Sequence, residues 1–179
     1  MRRMPALFDA SSLISSAKYS VHGRLIIDYI LQGCTIKIPQ KVKHEVVDEG
    51  IIGGYPDAVE IQKRIERGHI NVIVDNPLSK TFDELLTDYG LEEGDKSMIA
   101  YRLRHPRFPL ISDDQLLYIV ASRFGWRVMF LPDLIVRLFH KNVFNKTTSL
   151  EILLAIRPRF GKGFIEHSIK EVEGVISIK

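Results

Sequence analysis

A three-layer α/β/α fold around a mostly parallel central sheet is what this sequence predicts, and three observations predict it. Short apolar runs of strand length alternate with segments of helical periodicity, the pattern left by parallel strands covered on both faces. The length, 179 residues, suits one domain with a single core. With 45% hydrophobic and 26% charged residues, the composition is that of an ordinary globular chain. The main domain is expected over residues 1–143, with residues 144–179 as a helical C-terminal extension of it.

Taken in order, Ala6-Leu7-Phe8 is an apolar strand that ends at Asp9, and Ser11-Ser12 offer capping hydroxyls to a helix that follows. Leu25, Ile26, Tyr29 and Ile30 mark one face of a helix expected from His22 to Gln32 and stopped by Gly33. Thr35–Ile38 is a second strand closed by Pro39, and Gln40–Glu49 reads as a helix. A helix over 56–67 leads through Gly68 into the strand Ile70–Val74. Thr81-Phe82-Asp83-Glu84 has the form of a capping box, and Glu92–Arg104 forms the next helix, ending before Pro106. Then come a strand (Pro109–Ser112), a helix (Gln115–Phe124), a strand (Trp126–Leu131) and a helix (Leu134–Lys141). Thr148-Ser149-Leu150-Glu151, a second capping box, opens a final helical region that Gly161-Lys162-Gly163 interrupts before Phe164–Val172.

Several function classes drop out early. No apolar run approaches the roughly 20 residues of a membrane span. The basic start Met1-Arg2-Arg3 precedes only three apolar residues before Asp9, short of the about 7 to 15 that a secretory signal needs. The cytoplasm is therefore the expected compartment. Cys34, the single cysteine, excludes an intrachain disulfide and any cysteine-built zinc cage. His44-Glu45-Val46-Val47-Asp48 begins like a zinc-protease helix but lacks the second histidine. Net charge is only +3, yet it is unevenly spread: residues 1–114 hold 15 basic and 17 acidic side chains, leaving 10 and 5 for residues 115–179. A basic C-terminal surface beside an acidic pocket suits a polyanionic ligand. Arg157, Arg159 and Lys162 are candidate contacts to a phosphate backbone, set against an ordinary solvated basic turn.

The acids carry the functional argument. Ligands of open parallel sheets bind outside the carboxyl ends of the strands. Asp9 and the pair Asp113-Asp114 sit at such ends, with Ser11 and Ser112 placed to hydrogen-bond and hold them. Glu45 lies near the start of the helix after the second strand, and Asp95 in the first turn of its own helix, where negative charge is favoured. Singly, each reads as a helix cap or turn residue. Gathered in one cleft they would repel one another, and a hard oxygen-binding cation such as Mg²⁺ or Mn²⁺ resolves that repulsion.

This order of segments resembles the PIN-domain nucleases. Ala6-Leu7-Phe8-Asp9-Ala10-Ser11-Ser12-Leu13-Ile14 is similar to that family's opening, and Ile38-Pro39-Gln40-Lys41-Val42-Lys43-His44-Glu45 to its second segment. Leu91-Glu92-Glu93-Gly94-Asp95 and the apolar helix after it look like the third, and Leu110-Ile111-Ser112-Asp113-Asp114 like the fourth. The resemblance covers roughly residues 6–138. It implies a metal-dependent endoribonuclease with Asp9, Glu45, Asp95 and Asp114 as catalytic acids. Asp9, Asp95 and Asp114 would bind Mg²⁺ or Mn²⁺; Asp113 is the alternative ligand to Asp114, which is preferred because the family sets its acid two residues after a hydroxyl. RNA is the implied substrate, an antitoxin protein and a homodimer partner are in keeping with it, and no membrane is. Two other readings are a non-catalytic RNA-binding scaffold of the same fold and a structure-specific DNA nuclease.

Overall fold

The computed structural model describes residues 3–174. Seven strands form: β1 (Met4–Phe8), β2 (Ser20–Val21), β3 (Arg24–Leu25), β4 (Cys34–Pro39), β5 (Ile70–Ile73), β6 (Leu110–Ile111) and β7 (Val128–Met129). Five make a sheet in the order β5-β4-β1-β6-β7, every pairing parallel. From β1 the chain winds outward through β4 and β5, then crosses back to β6 and β7 on the other side. The winding direction reverses between β1 and β6, and in such sheets the crevice for a ligand opens there, beyond the strands' carboxyl ends.

Both faces of the sheet are covered. Ala6, Leu7 and Phe8 on β1 are fully buried, although successive residues point to opposite faces. On β4, Lys37 turns to one face and donates from Nζ to Tyr101 Oη at 3.1 Å, which seats the helix Glu93–Arg104 there. Cys34, Ile36 and Ile38 turn to the other. Burial pushes the Cys34 thiol up to about 12, with Lys141 and Arg137 pulling weakly the other way. At Gly33 the helices Ile26–Gly33 and Leu131–His140 approach so closely that a Cβ would lie 2.7 Å from Leu138 and Val143 side-chain carbons. One hydrophobic cluster runs through the sheet and takes in Ile152, Leu153, Ile156, Ile165 and Val172 from the helices Lys146–Ile156 and Lys162–Glu173. No described helix is long and apolar enough to cross a membrane.

Several local expectations need correction. The helix expected from His22 starts at Ile26; before it, β2 and β3 form an antiparallel hairpin. His22 and Gly23 have φ of 50° and 72° at its tip, and two left-handed residues are what a tight two-residue hairpin turn demands. Neither expected capping box forms. The helix Lys80–Asp88 takes Ser79 as its N-cap, and Lys146–Ile156 is capped by Asn145, whose Oδ1 accepts from Thr148 N–H at 2.8 Å. The expected strand Trp126–Leu131 shrinks to β7, because its helix begins at Leu131 with Pro132 in the first turn, a position that costs proline nothing. The helix expected at Gln40–Glu49 is α-helical over Gln40–Lys43, widens to a π-helix over His44–Glu49 and continues as Gly50–Ile52.

Candidate active site

Three aspartates at the carboxyl edge of the sheet each cap a helix. Asp9 Oδ1 accepts from Ser12 N–H at 2.7 Å and opens Ala10–Lys18. Asp9 itself is the cap, and Ser11 and Ser12 lie inside the helix, a correction to the expected capping by their hydroxyls. Asp114 Oδ1 accepts from Leu117 N–H at 2.8 Å and opens Gln115–Arg123. Asp113 turns aside: its Oδ1 accepts from Leu131 N–H at 3.0 Å, across 18 residues, at the start of Leu131–His140. Each carboxylate thus meets backbone N–H groups that a helix start leaves unpaired, and the positive end of a helix dipole.

Asp9 is the most firmly held. Its Oδ2 accepts from Ser11 Oγ at 2.8 Å and from Ser112 Oγ at 2.5 Å. The same hydroxyls accept from the next strand end, Asp114 N–H donating to Ser112 Oγ at 3.0 Å and Asp113 N–H to Ser11 Oγ at 3.3 Å. Ser11 and Ser112, expected as supports, lock the ends of β1 and β6 together at the point where the winding reverses.

Asp9, Glu45, Asp95 and Asp114 line one cleft of about 290 Å³, with Glu92, Gly94 and Ser11 beside them. They come from four separate chain segments. Asp113 is absent from that lining, its carboxylate engaged at Leu131. Burial pushes the Asp9 carboxyl up, opposed by the hydrogen bonds from Ser112, Ser12 and Ser11. Burial, then the charges of Asp9 and Asp114, raise Asp95 to about 7. Burial, then Glu92, Asp9 and Glu49, push Glu45 up. Among the described residues, no lysine, arginine or histidine forms an ion pair with any of the four. Lys41 and Lys96 both pair with Glu93, which they hold down at about 2.

Clustered carboxylates, one buried and two half-buried, that lack a cation favour either protons or a metal. The donors are all oxygen, which fits a hard divalent ion better than zinc or copper. Among the described residues, no three acidic or imidazole side chains close on one point as a finished cage. A metal would therefore be held in part through water, as the smaller divalent ions prefer.

The basic residues divide. Arg159 lines a depression of about 340 Å³ with Lys18, Tyr19, Ser11 and Glu45, directly beside the acids. Arg157 lies on the short 3₁₀ turn Arg157–Arg159 and lines neither depression, and Lys162 pairs with Glu166 at 3.6 Å on the surface. On the far side a third depression, about 570 Å³, is lined by Lys41, His44, Glu45 and Glu92. Glu45 is common to all three, and the acidic cleft shares Ser11 with the Arg159 depression and Glu92 and Gly94 with the Lys41 one.

Sequence reasoning missed Glu92 and Lys18. Glu92 is the N-cap of Glu93–Arg104 by position, without a side-chain cap bond. Its place next to the expected Asp95, three residues away and so on the same helical face, was the available signal. Lys18 is the single cation on the helix that Asp9 opens, but nothing local distinguished it from any solvated lysine.

A family model described as a PIN domain matches residues 6–173. The chain belongs to the PIN-domain family. Its three-layer fold, with the five-stranded parallel sheet flanked by helices, is that of a PIN domain. PIN domains are generally nucleases, bind nucleic acids and typically use divalent metals. In this PIN domain the match includes the helices after residue 143, in line with their place in the common core. No curated protein matches the chain.

Proposed function

We propose that the protein is a divalent-metal-dependent endoribonuclease that hydrolyses phosphodiester bonds in the acidic groove. The observation that carries this reading is the meeting of Asp9, Glu45, Asp95 and Asp114 from four chain segments in one cleft without a cationic partner. Asp9, Asp95 and Asp114 would hold Mg²⁺ or Mn²⁺, with Glu45 completing the site. When bound, such an ion makes water more acidic and offsets charge on the phosphate under attack.

The chain's own residues prepare that chemistry. Ser11, Ser112 and the Ser12 amide fix Asp9 in one orientation. Asp114 spends one oxygen on the Leu117 amide and keeps the other for the cleft. Glu45, half-buried on the π-helical turn, is set where the depressions meet and is placed to take a proton from water at the scissile phosphate. Lys18 and Arg159 on one side, with Lys41 and His44 on the other, line the path of a single strand and would hold its phosphates. The cytoplasm suits this activity, and an antitoxin protein that covers the groove, or a second copy of the chain, are the partners the reading allows.

Incubation of the purified protein with single-stranded RNA and with single-stranded DNA, under Mn²⁺, Mg²⁺ or EDTA, tests the reading. Cleavage of RNA with either metal and none in EDTA is expected. Preference for DNA would make it a DNA nuclease, and binding of RNA without cleavage under every condition would make it a scaffold.

A further inference from the structure

At the opposite edge of the sheet lies a second pocket, about 220 Å³, that the nuclease reading does not use. Met4 and Pro5 begin β1 there, and Pro109 and Arg127 immediately precede β6 and β7. It is thus separated from the acid cleft by the length of the strands, roughly 17 Å for five residues. Four arginines line it: Arg102, Arg107, Arg127 and Arg137. They come from different places. Arg102 belongs to Glu93–Arg104 on one face of the sheet and Arg137 to Leu131–His140 on the other, so the pocket spans the underside of all three layers.

These arginines lack the partners that such groups require. Among the described residues none of the four guanidiniums makes an ion pair or donates a hydrogen bond to a protein acceptor. Arg102 is only 9% exposed, and its Nε is buried with no partner, as is Nε of Arg137. The Arg102 guanidinium carbon lies over the Trp126 ring, 6.0 Å from its centroid, a contact that does not satisfy its N–H groups. Burial lowers the proton affinity of both, and Arg127 adds to it for Arg137. A guanidinium does not release its proton in a protein, so this cluster stays charged and self-repelling. Unpaired buried donors and unpaired buried charge are each costly. A bound anion removes both costs together.

We propose that this arginine pocket at the amino edge of the sheet is a binding site for a phosphate group. The planar forks of several guanidiniums match the oxygens of a phosphate, which accepts bidentate bonds from them. Phe108 lines the pocket beside the cations, with Lys37 Nζ 5.0 Å from its ring centroid. The phosphate has two possible sources: a free phosphate or mononucleotide, or the backbone of the same nucleic-acid strand that reaches the acid groove around the sheet edge.

Calorimetric titration of the full chain in phosphate-free, low-salt buffer with EDTA tests this, with inorganic phosphate, 5′-AMP and a single-stranded RNA octamer as probes. The variant is R107Q/R127Q, because both residues are exposed and their replacement leaves the core untouched. Wild type is expected to bind phosphate and 5′-AMP, and the variant to bind them about tenfold more weakly or worse. An octamer affinity that falls in parallel identifies the strand backbone as the source; an unchanged octamer affinity identifies the free ligand. Equal binding of phosphate and 5′-AMP by wild type and variant, or none by wild type, overturns the proposal. Asp9→Asn is expected to leave the phosphate and 5′-AMP affinities unchanged, so failure here is distinguishable from failure of the nuclease reading.

Discussion

The two edges of the sheet are built from the same strands and solve opposite electrostatic problems. At the carboxyl edge, helix N-termini and serine hydroxyls hold the buried Asp9 and the exposed Asp114 with short hydrogen bonds. At the amino edge, guanidiniums gather with no comparable scaffold, and two buried Nε atoms have no partner. The difference is instructive. A carboxylate at a strand end is supported by the backbone that follows it, whereas these guanidiniums come from two helices and two loops and find no acceptor where they meet. The first edge is pre-organised before any ligand arrives; the second waits for one.

The sharpest way to break this contrast is at Asp9. Asp9→Asn keeps the shape but removes the charge and one of the two acceptor oxygens that the serines address, and RNA cleavage is expected to fall on the order of 10³-fold, as the loss of several kcal/mol of metal-borne stabilisation implies. Far-UV circular dichroism should not change. Retained metal-dependent cleavage would mean that the carboxyl edge is a set of helix caps and nothing more.

Ser112→Ala comes next. It removes the donor to Asp9 Oδ2 and the acceptor for Asp114 N–H in one step. Loss of such an orienting partner typically costs about 10- to 100-fold in metal affinity or activity, measured here as Mn²⁺ affinity and initial rate. Gly94→Ala should act more gently and separate function from stability. A Cβ there would lie 3.4 Å from Glu45 Oε2 and 3.3 Å from Val42 Cγ2. Activity is expected to fall about tenfold through the displaced carboxylate, while the melting temperature holds, since alanine is a better helix residue than glycine.

The smallest effect is on stability. Asp95 is raised from 3.8 to about 7 by burial and by its acidic neighbours. A carboxyl raised by folding stabilises the fold fully below its unfolded value and ceases to do so as pH climbs through its folded one. In EDTA, the melting temperature should therefore fall as pH rises from about 4 through about 7, by a few degrees. Asp95→Asn should flatten that slope, and Mn²⁺ should reverse it above the folded value. A slope that is unchanged in Asp95→Asn would show that folding does not raise the Asp95 carboxyl.

Much of the carboxyl edge was legible in the sequence, because its chemistry is local. Asp9 follows an apolar strand within one residue, Asp114 follows another within three, and order along the chain did the rest. The hairpin at residues 20–25 was hidden because its strands are two residues each and the apolar spacing after Leu25 is that of the helix it introduces. The role of Asp113 was hidden for a different reason: its partner, Leu131, is supplied by a helix start that sequence placed three residues too late. Glu45 was found, but not the π-helical turn that carries it, since a widened turn leaves no compositional trace; such turns recur at functional sites. The arginine pocket had no signal at all. Its four side chains are scattered over two helices and two loops, and only the closing of the sheet brings them together.

The measurement that bears most directly on the central claim is a calorimetric titration of Mn²⁺ into chelator-treated protein above pH 7, for wild type, Asp9→Asn and Asp95→Asn. Binding is expected in wild type, with loss or severe weakening in both variants. Binding that survives in both variants, or its absence from wild type, would contradict the assignment of the acidic cleft as a metal centre.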